Sequence, residues 1–300
     1  MGRDALITAI TTFLSGWDTL DEIRDVLSRE LDAAGRSALV NLGRALAAAG
    51  ADWEYYPRDP LARRIHHVLA DRILLPDSAL HGVEHLASLP AGPVVICANH
   101  LSYADANLLE VMLHRAGADH LCDRLTVIAG PKVYSSLKRR FSSLCFGTIK
   151  VPQSSALSSE DAVMDPREVA RAARRTIDVA HERLRLGDAL LVFGEGSRSR
   201  TSGMQPMLPA VTRYLEVPHT LVVPVGIIGT EALFPIGEDA LHPVRVEVRI
   251  GAPIEADEIR TRAGGDRRLM MDNIGRTVAA LLPQEYRGAY DREMPEALGL

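Results

Sequence analysis

The chain has 300 residues, 47% of them hydrophobic and 24% charged. That is ordinary globular composition, with room for a catalytic domain and a smaller region beside it. The formal net charge of −5 excludes a molecule-wide polyanion-binding surface; nucleic acid is not an expected partner, and an anionic substrate must be held by a local cluster of Arg and Lys.

In chain order, the first stretch reads as helical. Asp4 follows the N-terminus closely and no long apolar run accompanies it, so no signal peptide is expected; Leu6 breaks the myristoylation pattern. Apolar residues recur at helical spacing over 5–14 and stop near Ser15 and Gly16. A second helix, capped by Asp18 or Thr19, runs through Ile23, Val26, Leu27 and Leu31 towards Gly35. A third spans 37–49 and ends at Gly50, and a fourth covers 61–75 before Pro76. Residues 1–76 are therefore expected to form a small helical bundle region.

Beyond residue 77 the pattern changes. Short continuous apolar runs at 94–98, 125–129, 189–193 and 221–225 predict strands buried on both faces. Helical segments at 106–114 and 167–186 lie between them. This alternation predicts an α/β domain over 77–300 with a mixed, largely parallel central sheet flanked by helices. The strict alternation over 244–250 (Val, Arg, Val, Glu, Val, Arg, Ile) predicts a half-exposed edge strand, and 266–282 a closing helix. The Ser-rich stretch 153–160 reads as a loop. The most apolar stretch, 221–228, falls far short of the ~20 residues that span a bilayer. Action on a lipid would take place from the membrane surface, and a cytoplasmic location with peripheral contact at the inner membrane face is expected. The cysteines, Cys97, Cys122 and Cys145, are sparse and far apart, which fits a reducing compartment and small buried hydrophobes better than a disulfide scaffold or a zinc site.

The pattern His-x-x-x-x-Asp occurs three times, at His66/Asp71, His100/Asp105 and His114/Asp119, so spacing alone does not select a catalytic pair. His66 and Asp71 lie within a helix interior and His114 and Asp119 straddle a helix end; both read as surface features. His100 directly follows a buried strand, where open α/β sheets place their ligand crevices. A histidine there can take a proton from a hydroxyl while Asp105 fixes its tautomer and stabilises the imidazolium. Ser102 and Asp105 also read as an N-cap with an acid at N3, and the two readings are compatible.

Asn99-His100-x-x-x-x-Asp105 after a buried strand resembles the first block of the glycerol-phosphate and lysophospholipid acyltransferase family. Three further blocks follow in the family's order: Gly147-Thr148-Ile149-Lys150-Val151, then Phe193-Gly194-Glu195-Gly196-Ser197-Arg198-Ser199, then Val223-Pro224-Val225-Gly226-Ile227. The similarity covers roughly residues 80–255. It implies an O-acyltransferase of phospholipid biosynthesis with His100 and Asp105 as the catalytic pair, and it assigns Glu195 and Arg198 to acceptor binding. Arg198 suits a phosphate, Gly196 lets backbone approach a ligand, and Ser197 lies between them. No metal and no cofactor beyond the co-substrate is implied, the donor being acyl-CoA or acyl carrier protein and the acceptor glycerol-3-phosphate or 1-acylglycerol-3-phosphate. Gly194 stands where the family has proline, and Gln153 where many relatives have an arginine for the acceptor phosphate. Lys132, Lys150 or Arg200 are candidates to compensate. The mixed basic and apolar run 132–141 is a candidate contact for anionic lipid headgroups or an acidic carrier protein; a solvated basic face is the plainer alternative. Transfer to a sugar or another specialised alcohol, and a non-catalytic lipid-binding protein on the same fold, remain as alternatives.

Overall fold

The computed structural model of the chain describes residues 3–14, 17, 19–87, 89–90, 92–152, 166–235 and 241–291; Gln153 and the Ser-rich stretch lie outside them. Among the described residues nine strands form one sheet: β1 (Tyr55–Tyr56), β2 (Ala79–His81), β3 (Val94–Ala98), β4 (Leu125–Ala129), β5 (Gly147–Lys150), β6 (Ala189–Phe193), β7 (Leu221–Ile228), β8 (Glu247–Ile250) and β9 (Ile254–Glu255). Their order is β1-β5-β4-β6-β3-β7-β8-β2, with β9 paired to β7. The run β5-β4-β6-β3-β7 is parallel throughout, while β1, β8 and β9 join it antiparallel. The sheet is thus mixed and largely parallel, with helices on its faces.

The continuous apolar runs become central strands because their alternate side chains feed two cores. Val94, Ile96 and Ala98 of β3 pack into one cluster with the N-terminal helices and the helix Asp105–Arg115. Val95 and Cys97 point the other way, into a cluster with the helices Pro166–Arg185 and Arg267–Ala280. Both faces exclude water, so no polar residue interrupts the strand.

The N-terminal region packs onto this sheet. Leu6, Ile10, Leu27, Leu31, Leu42 and Leu46 share the first core with β3, and β1 adds to β5. The second and third expected helices meet as one segment, Leu20–Ala48, broken at Gly35 with φ 77°. The fourth, Pro60–Ile73, starts where Asp59 accepts from the N–H groups of Leu61 and Ala62, both at 2.9 Å, with Pro60 in the first turn.

β8 corrects the sequence expectation. Val244, Val246, Val248 and Ile250 are buried, as the alternation requires, but β8 is not an edge. The three-residue β2 pairs with its outer side. Alternation reports which face meets water, not which edge is covered.

Candidate active site

Three adjacent strands, β6, β3 and β7, end side by side and carry the site on the loops at their C-terminal ends. At the end of β3 the buried Asn99 continues the ladder with its side chain. Its amide donates to the carbonyl of Ile227 (2.8 Å) and accepts from the Ile227 N–H (2.7 Å). The backbone can therefore leave the sheet at this point without stranding polar groups of β7.

The next residue is His100. Its Nδ1 lies 2.8 Å from Oδ2 of Asp105, and a carboxylate that only accepts places the ring proton on Nδ1. Nε2, which has no hydrogen-bond partner among the described residues, is then the nitrogen that can take a proton. The Asp105 side chain is fully buried, and that of His100 is 15% exposed. Asp105 Oδ2 also accepts from the N–H groups of Leu101 (2.7 Å) and Ser102 (3.0 Å), and Oδ1 accepts from the hydroxyl of Thr230 (2.5 Å). The expected capping box forms only in part. The helix begins at Asp105 with Ala104 as its N-cap, and the Ser102 hydroxyl reaches the Ala104 N–H at 3.4 Å.

The turn after β6 holds His100 from several sides. The imidazole stacks on Phe193, centroids 4.2 Å apart and planes 17° from parallel. The His100 N–H donates to Glu195 Oε1 (2.8 Å), and its carbonyl accepts from the Ser199 N–H (2.7 Å). Glu195 Oε2 accepts from the Gln205 N–H (2.8 Å). Glu195 is 3% exposed, and each of its oxygens accepts from a backbone N–H, one of them that of His100. Burial pushes its carboxyl up to about 7, against the two N–H donors that favour the ionised form. Gly196 allows the turn with φ 73°; a Cβ there would stand 2.4 Å from Leu208 Cδ1.

The other predicted residues separate into two groups. Arg198 lies over the ring of Tyr103, 4.5 Å from its centroid, within the His100 turn. Arg139 lies over the same ring at 5.4 Å and is anchored by the Lys132 carbonyl (3.3 Å) and the Ser135 hydroxyl (3.1 Å). Two guanidinium groups therefore converge on an exposed aromatic beside His100, and neither pairs with a carboxylate among the described residues. Ser197 is beside them, in contact with the Gln205 amide at 3.4–3.5 Å. Lys150 is turned elsewhere: its ammonium donates to the Gly50 carbonyl (2.7 Å) and lies over Trp53 (4.6 Å). Lys132 belongs to the turn Pro131–Tyr134 after β4 and enters the arrangement through its carbonyl. Arg200 is exposed.

The sequence reading missed the positions of Arg139 and Thr230. Arg139 is hidden in a basic run, and Thr230 stands 125 residues from the aspartate it touches.

The two other His/Asp spacings behave differently. His114 and Asp119 pair at 2.6 Å on the surface. His66 is not the surface feature expected. It bonds the Asn107 carbonyl (3.2 Å), and burial pushes its imidazole down to about 4, while Asp71 pairs with Arg115. All three cysteines are buried, and burial pushes the thiols of Cys97 and Cys122 up to about 12. They are not nucleophiles.

A family model described as Acyltransferase matches residues 77–228, just over half of the chain. No curated protein matches its sequence. Among solved structures, the crystal structure of the 1-acyl-sn-glycerophosphate (LPA) acyltransferase PlsC from Thermotoga maritima is similar, with a TM-score of 0.50, 18% identity and 93% of each chain covered. At that identity the likeness is one of fold.

Proposed function

This chain belongs to the acyltransferase family, and from that premise we propose that it moves a fatty acyl group from acyl-CoA or acyl carrier protein to a hydroxyl of glycerol-3-phosphate or 1-acylglycerol-3-phosphate. The observation that carries the reading is the His100–Asp105 pair. It has a buried carboxylate saturated with donors, a ring nitrogen directed away from it, and a location at the C-terminal ends of parallel strands.

In the proposed reaction Nε2 of His100 removes the proton of the acceptor hydroxyl as its oxygen attacks the thioester carbonyl. The carbonyl π electrons move onto oxygen and form a tetrahedral intermediate. Its collapse expels the thiolate, and the imidazolium returns a proton to the sulfur. Asp105 stabilises the transient imidazolium and holds the tautomer. A thiolate leaves readily, so a second acid is not required. No group of the enzyme becomes covalently modified.

Arg139 and Arg198 support an anionic acceptor, because planar guanidinium forks match phosphate oxygens. The exposed Leu137 and Tyr103 beside Lys138, Arg139 and Arg140 support contact with an anionic bilayer surface. No described helix is long and apolar enough to cross a membrane. The proposal has the protein acting at a membrane surface, with the cytoplasmic face expected from the sequence.

The test is thiol release from acyl-CoA and from acyl carrier protein, with glycerol-3-phosphate and lysophosphatidate assayed side by side. Turnover with one of these acceptors, abolished by His100→Ala in a folded chain, is the expected result. Near-normal turnover in the variant, or no thioester consumption by the wild type with any acceptor, would overturn it.

A further inference from the structure

We infer that Thr230 is a positioning residue for acyl transfer, acting on His100 through Asp105; this rests on the catalytic pair proposed above. The two oxygens of Asp105 are served unequally. Oδ2 receives His100 Nδ1 and two backbone N–H groups, all from the residue's own turn. Among the described residues Oδ1 receives only the hydroxyl of Thr230, at 2.5 Å, from just beyond the end of the neighbouring strand β7. Thr230 is fully buried, so water does not replace it.

The backbone is shaped to deliver this hydroxyl. β7 ends at Ile228, and Gly229 follows with φ 89°; a Cβ there would stand 2.3 Å from the Arg245 carbonyl oxygen. That left-handed residue starts the short 3-10 turn Thr230–Ala232 and turns position 230 towards Asp105. Asn99 holds Ile227 of the same strand, so the segments carrying His100 and Thr230 are fixed to each other twice. Rotation about the Cβ–Cγ bond moves both carboxylate oxygens together, so the Thr230 bond at Oδ1 adds a restraint from a second strand end to the three that Oδ2 receives from its own turn. Thr230 thereby ties the plane of Asp105, and through it the direction of Nε2, to the end of β7. The residue is buried behind Asp105, so its removal is expected to act on turnover and not on binding.

The experiment compares Thr230→Val, Thr230→Ser and Thr230→Ala with wild type and His100→Ala. Serine and alanine both lack the γ-methyl and differ only in the hydroxyl, so that pair decides the matter even if the valine chain does not fold. The expected result is a loss of kcat of about 10- to 100-fold in Val and Ala. KM for donor and acceptor stays within about 3-fold, and Ser retains wild-type kcat within about 3-fold. Equal losses in Ser and Ala, or full kcat in Ala, would overturn the inference while leaving the catalytic pair intact. A fully active His100→Ala would instead overturn the pair. An activity-independent readout is the downfield imidazole proton resonance of the His100–Asp105 hydrogen bond. It should persist in Ser and be lost or broadened in Ala; its persistence in Ala would also overturn the inference.

Discussion

Glu195→Gln separates two roles for a residue that the family resemblance gives to the acceptor and the geometry gives to the His100 turn. The Glu195 carboxyl is pushed up from 4.5 to about 7 by burial. Below 4.5 it is protonated in both folded and unfolded chains and has no effect on the balance between them. As the pH rises towards 7 the unfolded chain releases this proton while the folded chain keeps it, so stability falls. At about 1.4 kcal/mol per pH unit, the loss reaches about 3 kcal/mol above pH 7. Glutamine does not titrate and escapes this loss. It bears a separate, pH-independent penalty, because its amide nitrogen must face the N–H of either His100 or Gln205. Leaving that donor unpaired costs about 1–3 kcal/mol. The variant should therefore be the less stable chain at about pH 5 and should match or exceed wild type at about pH 8, as measured by urea unfolding at both. Since one of the two donors belongs to His100, kcat should also fall by about 10-fold with the acceptor KM unchanged. A stability difference that stays constant with pH would refute the raised carboxyl. A raised KM with intact kcat would restore Glu195 to the acceptor.

Asp105→Asn should lower kcat by roughly 10³- to 10⁴-fold in a folded protein, because an amide cannot hold the Nδ1–H tautomer in the same way. Asp105→Ala should in addition lower the midpoint of thermal unfolding, since the N–H groups of Leu101 and Ser102 and the Thr230 hydroxyl lose their acceptor. Glu110→Ala should cost about 3–5 kcal/mol in urea unfolding without touching the site. Glu110 is a fully buried carboxylate; burial pushes it up, but His67 and Arg63 outweigh that and hold it below its ordinary range. A loss under about 1 kcal/mol would show that solvent reaches the cluster. Arg139→Ala should raise KM for a phosphorylated acceptor about 10-fold with kcat kept, as read in initial-rate assays. An unchanged KM would leave Arg198 as the sole anchor of this arginine pair.

What the sequence made legible follows from how locally each feature is encoded. The central strands were readable because burial on both faces leaves a continuous apolar run, as in Val94–Ala98. β1 and β2, of two and three residues, hold too few positions for any period to register, so β8 was mistaken for an edge. The same limit applies to the site. The spacing of His100 and Asp105 does bring them together at 2.8 Å, but the identical spacing brings His114 and Asp119 together at 2.6 Å. The difference is burial: the Asp105 side chain is fully buried and that of Asp119 is 53% exposed. Burial is a property of the sheet, and the apolar run before His100 is its local trace. Thr230 and Arg139 leave no such trace. Each reaches the His100 turn from another element, the end of β7 and the helix Leu137–Ser143, and only the parallel order β6-β3-β7 makes the first of them a neighbour of the aspartate. The residues proposed to perform the chemistry are thus encoded within six positions of one turn, while those proposed to orient them are encoded in the topology.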